Sequence, residues 1–183
     1  MTKRELRKSI KKETRELVSE NRWNLVLGSL LSGAGSDTLV LAGPFQIGLV
    51  NYSLKAVRKE EHNTGDLFKG FSGIFGKSVG AFFLQFLYLC LWCMLFYIPA
   101  LIKSYSYSMT FYLLQDNPNL GPDEAITESR KLMKGHKWEL FVFDLSFIGW
   151  IFLSMITFGI VAIFFVGPWM TLARAKFYDS IKK

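Results

Sequence analysis

Residues 140–173 read LFVFDLSFIGWIFLSMITFGIVAIFFVGPWMTLA, 34 residues whose only charged side chain is Asp144. At 1.5 Å of rise per residue, one helix of that length reaches about 50 Å, well beyond a hydrocarbon core of about 30 Å. The stretch is too long for a soluble core helix and predicts lipid-embedded chain that turns back on itself. Thr157-Phe158-Gly159 is the expected reversal. A second uncharged run, Ser78 to Ile102, spans 25 residues and holds a single amide, Gln85. Two such runs predict an integral membrane protein.

The composition agrees with that expectation. Half of the 183 residues are hydrophobic and 17 are Phe, yet a fifth are charged and the net charge is +7. Such a mixture implies segregation, with apolar runs in lipid and charge in the connections. Basic residues flank the apolar runs, so the positive-inside rule accounts for the charge and nucleic acid is not an expected partner. The N-terminal stretch is long and mixes Glu5, Glu13, Glu16 and Glu20 among its basic residues, unlike a signal peptide. The two cysteines, Cys90 and Cys93, have C-x-x-C spacing but lie inside the second apolar run. A redox pair needs thiolate character and water, so they read as small packing residues.

Worked outward from these runs, the chain predicts an all-α, polytopic fold. Residues 1–22 form a basic amphipathic helix with Leu6, Ile10 and Leu17 on one stripe, lying on the inner leaflet or standing as a solvated leader. Residues 23–183 form a single membrane domain of three out-and-back hairpins at about 23–54, 78–115 and 138–176, giving four to six membrane segments. The first hairpin turns at the Ser32–Asp37 cluster of turn formers. A cytoplasmic helix at about 122–134 has Pro122, Asp123 and Glu124 at its start, Arg130, Lys131 and Lys134 at its end, and Gly135 as its stop.

The three excursions resemble one another. Pro44, Pro99 and Pro168 each sit in or just before a returning segment and are expected helix bends. Tyr52 and Tyr107 follow their prolines by eight residues, and Phe177-Tyr178 lies at a similar distance from Pro168. A degenerate repeat and chance similarity in biased sequence both account for this pattern. With these hairpins, Lys103 is the only one of 22 Lys and Arg expected away from the cytoplasmic face, and both termini are expected in the cytoplasm of a bacterial cell.

Several motifs carry a family resemblance. They are Tyr105-Ser-Tyr-Ser-Met109, Asp116-Asn-Pro118, Glu124-Ala125, Ser129-Arg-Lys-Leu-Met-Lys-Gly-His-Lys-Trp138 and Leu145-Ser-Phe-Ile-Gly-Trp150, with Asp66-Leu-Phe-Lys-Gly-Phe71 upstream and Phe177-Tyr178 at the end. Together, over roughly residues 66–183, the chain resembles a bacterial family of multi-pass membrane proteins catalogued as a domain of unknown function, number 975. The resemblance implies a helical membrane fold and carries over no catalytic residues. The first excursion is shorter than the family's usual first hairpin.

Asp144 is the sharpest candidate for a role, because a charge at membrane depth needs a partner or a function. Folded at Gly159, the chain places Asp144 and Arg174 equally far from the reversal, and the expected outcome is an ion pair that pins the two arms at the inner interface. A proton or ion relay would need further acidic groups at depth, and the two long runs hold none. Lys131, Lys134, His136, Lys137, Arg174 and Lys176 could form one inner-leaflet patch for an anionic lipid headgroup, or serve as ordinary positive-inside flanks. His62 and His136 lie in charged links without clustered carboxylates, so no metal, no cofactor and no catalytic group is expected. The functional expectation is a non-catalytic membrane scaffold, accessory or immunity-like protein, whose partners are the bilayer, anionic inner-leaflet lipids, another membrane protein or itself. A small-solute transporter or channel component is the second reading and a lipid-modifying membrane enzyme the third.

Overall fold

The computed structural model describes residues 3–35, 39–95, 97–157 and 161–182, which form nine α-helices, one 3₁₀ segment and one π segment, with no strand among the described residues. The first helix, α1 (Lys3–Gly35), runs without interruption past Arg22, where the sequence predicts a separate amphipathic helix to end. Two features explain the continuity. Ile10, Thr14, Val18 and Leu25 recur at helical spacing and are all buried. Gly28 is not a turn residue: a Cβ there would meet the Leu49 and Leu67 side chains at 2.7 and 2.9 Å, so glycine lets α1 lie close to its neighbour. Leu6 and Leu17 pack on the same core, so the stripe expected to face lipid or water is covered by the protein itself. Most of the expected turn at Ser32–Asp37 is helical instead, since Ser32–Gly35 continue α1, and Ser36 and Asp37 lie outside the described residues.

Helix α2 (Leu39–Arg58) returns along α1 and carries Pro44 in its interior. The 3₁₀ segment Thr64–Phe71 then folds back onto α2 at unusually short range. A Cβ on Gly48 would sit 1.7 Å from the Leu67 carbonyl oxygen, and one on Gly70 would sit 1.9 Å from the Pro44 carbonyl oxygen. Only glycine admits backbone at these distances. Asn63 starts the segment, its Oδ1 accepting from the Thr64 N–H at 2.7 Å while its own N–H donates to Asp66 Oδ2 at 2.9 Å.

Helix α3 (Phe75–Leu95) packs against α4 (Tyr97–Tyr107). Pro99 sits in the first turn of α4, where its missing N–H leaves no broken bond. Helix α5 (Thr110–Asp116) is buried over Thr110–Leu114 and ends at Asn117-Pro118. In α6 (Pro122–Leu132), Pro122 takes the first position, Glu124 Oε2 accepts from the Gly121 N–H at 2.8 Å, and Gly135 beyond it has a φ of +90°.

The third excursion departs from a simple hairpin. Its outgoing arm breaks at Ser146-Phe147 into α7 (Lys137–Leu145) and α8 (Ile148–Ile156). Lys11 of α1 plugs the break: its Nζ lies 4.0 Å from the Phe147 ring centroid and donates to the Ser146 carbonyl at 3.3 Å. Of the expected reversal, Thr157 ends α8 in a turn, and Phe158 and Gly159 lie outside the described residues. The return arm begins as a π segment, Ala162–Val166, before α9 (Gly167–Ile181). Pro168 is the second residue of α9, and a π segment just before it widens the ladder where the proline ring would crowd the preceding carbonyls.

The core is formed where α1, α2, α5, α7 and α9 meet, around Tyr52, Met109, Leu114, Phe143, Phe147, Phe177 and Tyr178. The tyrosines spaced from each proline are therefore buried, but in different company. Tyr52 accepts from Asn24 Nδ2 at 3.1 Å, Tyr107 lies against Tyr88, and Tyr178 stacks on Tyr112. One helix among the described residues, Phe75–Met94 of α3, is long and apolar enough to cross a hydrocarbon core, and only 11% of its 18-residue window is buried. Phe86, Leu87, Leu91 and Met94 project outward from it, and the apolar surface continues onto Ile98, Leu101 and Ile102 of α4. Cys90 and Cys93 are also exposed and free, so they do not pack against other helices as the sequence predicts. Their helix has an open face where a packing partner was expected.

Candidate functional site

Asp144, on the last turn of α7, faces Arg174 of α9: Nη2 donates to Oδ2 at 2.7 Å. The Asp144 side chain is 13% exposed and the Arg174 side chain 39%. The bond is single rather than bidentate. Asp144 Oδ1 and Arg174 Nε are both buried with no hydrogen-bond partner, so each group retains unused bonding capacity. Tyr105 of α4 and Tyr112 of α5 stand close enough to feel both charges. The site therefore joins four helices around one charge pair.

Two further carboxylates are held more completely. Asp116, at the end of α5, accepts from Arg58 through both Nη1 and Nη2 at 2.9 and 3.0 Å, from the Tyr178 hydroxyl at 3.0 Å, and from Lys182. The same guanidinium reaches Asp179 at 2.7 Å, so Arg58 ties the ends of α2, α5 and α9 together. Burial works against charge on Asp116, but Arg58, Lys182 and Tyr178 outweigh it and hold the carboxyl down to about 2. Asp66, in the 3₁₀ segment, is gripped by Lys69 at 2.8 Å and Lys55 at 3.0 Å. Burial again opposes the charge, and Lys69, the Asn63 N–H and Lys55 together hold the carboxyl down to about 2. A chain of amides runs beside it: Asn51 Nδ2 donates to the Asp66 carbonyl at 3.3 Å, and Gln115 Nε2 donates to Asn51 Oδ1 at 3.0 Å.

Residues 94–183 match the family model DUF975, a protein of unknown function. No curated protein and no solved structure matches the chain. The DUF975 match begins at Met94, later than the residue 66 suggested by the sequence motifs, so Asp66-Leu-Phe-Lys-Gly-Phe71 lies outside it. It takes in α4 through α9 and hence Asp144, Arg174, Asp116 and Tyr178, while Arg58 and α3 up to Cys93 precede it.

Within the DUF975 segment the six basic groups expected to form one headgroup patch are largely engaged by carboxylates. Lys131 pairs with Glu128 at 2.7 Å, Arg174 with Asp144 and Lys176 with Glu13 at 2.7 Å, and His136 Nδ1 lies 2.8 Å from Glu139 Oε2. Lys134 and Lys137 have no ion pair among the described residues. Neutralised in this way, the group offers an anion far less than its formal charge suggests.

The Arg58 cluster was not foreseen, because its partners lie up to 121 residues apart, whereas the Asp66 cluster is local and was missed although Lys69 follows Asp66 by three residues. A signal existed in Asp116, an acid closing an apolar segment directly before a helix stop, which needs a cation from elsewhere. Among the described residues, no group of three or more His, Cys, Asp and Glu could hold a metal.

Proposed function

We propose that this chain is a multi-pass protein of the bacterial cytoplasmic membrane, with both termini in the cytoplasm. Its role is that of a non-catalytic scaffold, accessory or immunity-like protein acting through helix contacts and lipid. The observation that carries this reading is α3, a helix of spanning length with most of its surface uncovered. A soluble core helix of such composition is mostly buried, and an exposed apolar face this long in water marks a contact surface or a lipid one. Exposed apolar side chains on α4 and on α8, where Phe152 is 62% exposed, support further membrane segments. The buried carboxylates support a non-catalytic role. Asp66, Asp116 and Asp144 are each bound to at least one cation, an arrangement that clasps helices.

The exposed thiols of α3 provide the test. In bacterial membranes the protein should resist alkaline carbonate extraction, and Cys90 and Cys93 should react with a membrane-impermeant maleimide only after detergent is added. Release by carbonate together with ready labelling in intact membranes would overturn the reading. Reporter fusions at each terminus should be active only as cytoplasmic reporters. Affinity purification from native membranes should bring down a stoichiometric protein partner if the scaffold role is correct, and a retained small solute would favour transport instead.

A further inference from the structure

A pocket of about 320 Å³ lies between α1, α8, the π segment and the start of α9. Its walls are Val18, Trp150, Val161, Phe165, Val166 and Trp169, and its polar edge consists of Arg15, Ser19 and Arg22. Arg15, Ser19 and Arg22 follow one another at spacings of four and three on α1, so they share one helix face. The Arg22 guanidinium carbon stands 4.8 Å from the Phe165 ring centroid, and its Nε is buried without a hydrogen-bond partner. Unlike Lys131, Arg174 and Lys176, neither arginine makes an ion pair among the described residues. The indole N–H of Trp169 is committed to the Lys11 carbonyl at 3.3 Å and to Thr14 Oγ1 at 3.1 Å, which fixes the ring as a wall.

We propose that this pocket binds an anionic phospholipid, with the headgroup phosphate between Arg15 and Arg22 and the first part of an acyl chain against Trp150, Val161 and Phe165. The chemistry is that of an amphiphile: an apolar slot, at the small end of ligand-pocket volumes, opening beside two arginines. A guanidinium with an unused donor suits phosphate oxygens, which can accept from several N–H groups at once. A free inorganic anion would fill only the polar edge and leave the aromatic walls wet. The proposal rests on the membrane reading above, since a bilayer supplies the ligand.

The full chain in lipid nanodiscs allows the test, with tryptophan fluorescence as the readout and brominated lipids as quenchers. Brominated phosphatidylglycerol should quench more strongly than brominated phosphatidylcholine at equal mole fraction. Arg15→Gln and Arg22→Gln should each lower that preference about fivefold, whereas Arg15→Lys should preserve most of it. Trp150→Phe should reduce the excess quenching, because Trp150 lines the pocket. Equal quenching by both lipids would overturn the headgroup site while leaving the membrane reading intact. Quenching by neither would overturn both. Loss of the preference on adding inorganic phosphate would show that a soluble anion, not a lipid, occupies the site.

Discussion

Removing Arg174 should damage the protein more than removing the charge it neutralises. In Arg174→Ala the Asp144 carboxylate, 13% exposed and already lacking a partner at Oδ1, loses its charged partner and keeps the Tyr105 side chain beside it. Abandoning one member of a buried pair typically costs 3–5 kcal/mol, and the partial exposure of Arg174 places this case near about 3 kcal/mol. Asp144→Asn is milder. Its amide oxygen still accepts from Nη2, and Arg174, 39% exposed, can turn its charge to water or headgroups, so the loss should be about 1 kcal/mol. Arg174→Ala made in the Asp144→Asn background leaves no charge behind and should cost about half as much as in the parent. The coupling between the two sites is then about 1.5 kcal/mol. For a chain of this length that corresponds to about 3–6 °C in midpoint. Thermal unfolding of the four proteins in neutral detergent, followed by far-ultraviolet circular dichroism, gives the cycle. Additivity to within about 0.5 kcal/mol would refute the clasp.

Other perturbations follow from the same contacts. The Asp66 carboxyl is held at about 2 against an ordinary 3.8, which corresponds to about 2 kcal/mol of stability. Because the folded value is the lower one, that stability is present above pH 3.8 and is lost as the pH falls through about 2. Asp66→Asn should therefore lower the neutral-pH midpoint and flatten the acid limb in a pH series of melts, with Asp116 unchanged in both proteins. Gly48→Ala should destabilise by about 3 kcal/mol, since backbone on both sides of the clash prevents relief, whereas Gly65→Ala, with open space around it, should stay within about 0.5 kcal/mol in the same melts. Lys11→Met should lower stability by about 1–2 kcal/mol through loss of its ring and carbonyl contacts. Lys8→Met, at an exposed position of the same helix, serves as the control, and equal effects would refute the role of Lys11.

Local chemistry was the part of this fold legible in the sequence. Pro122, Glu124 and Gly135 bound α6 through hydrogen bonds and backbone angles that a few neighbouring residues decide. Asp144 and Arg174 could be placed opposite each other because both lie equally far from one expected reversal. What could not be read depends on distant partners. Ser32 to Gly35 reads as a turn yet continues α1, and Gly28 shows itself as a contact point only once Leu49 and Leu67 are in place. The break at Ser146-Phe147 has no proline or glycine to announce it, and Lys11 supplies its reason from the other end of the chain. The basic patch was dispersed for a similar cause, since Glu13, 163 residues away from Lys176, takes up its charge.

That cross-chain contact at Lys11 also orders events in time. Lys11, which seats itself at the α7–α8 corner, leaves the ribosome 135 residues before Ser146, and the rings that receive it, Phe147 and Trp169, follow later still. Until those rings arrive, the Lys11 ammonium stays solvated. The corner is locked by a residue made long before it.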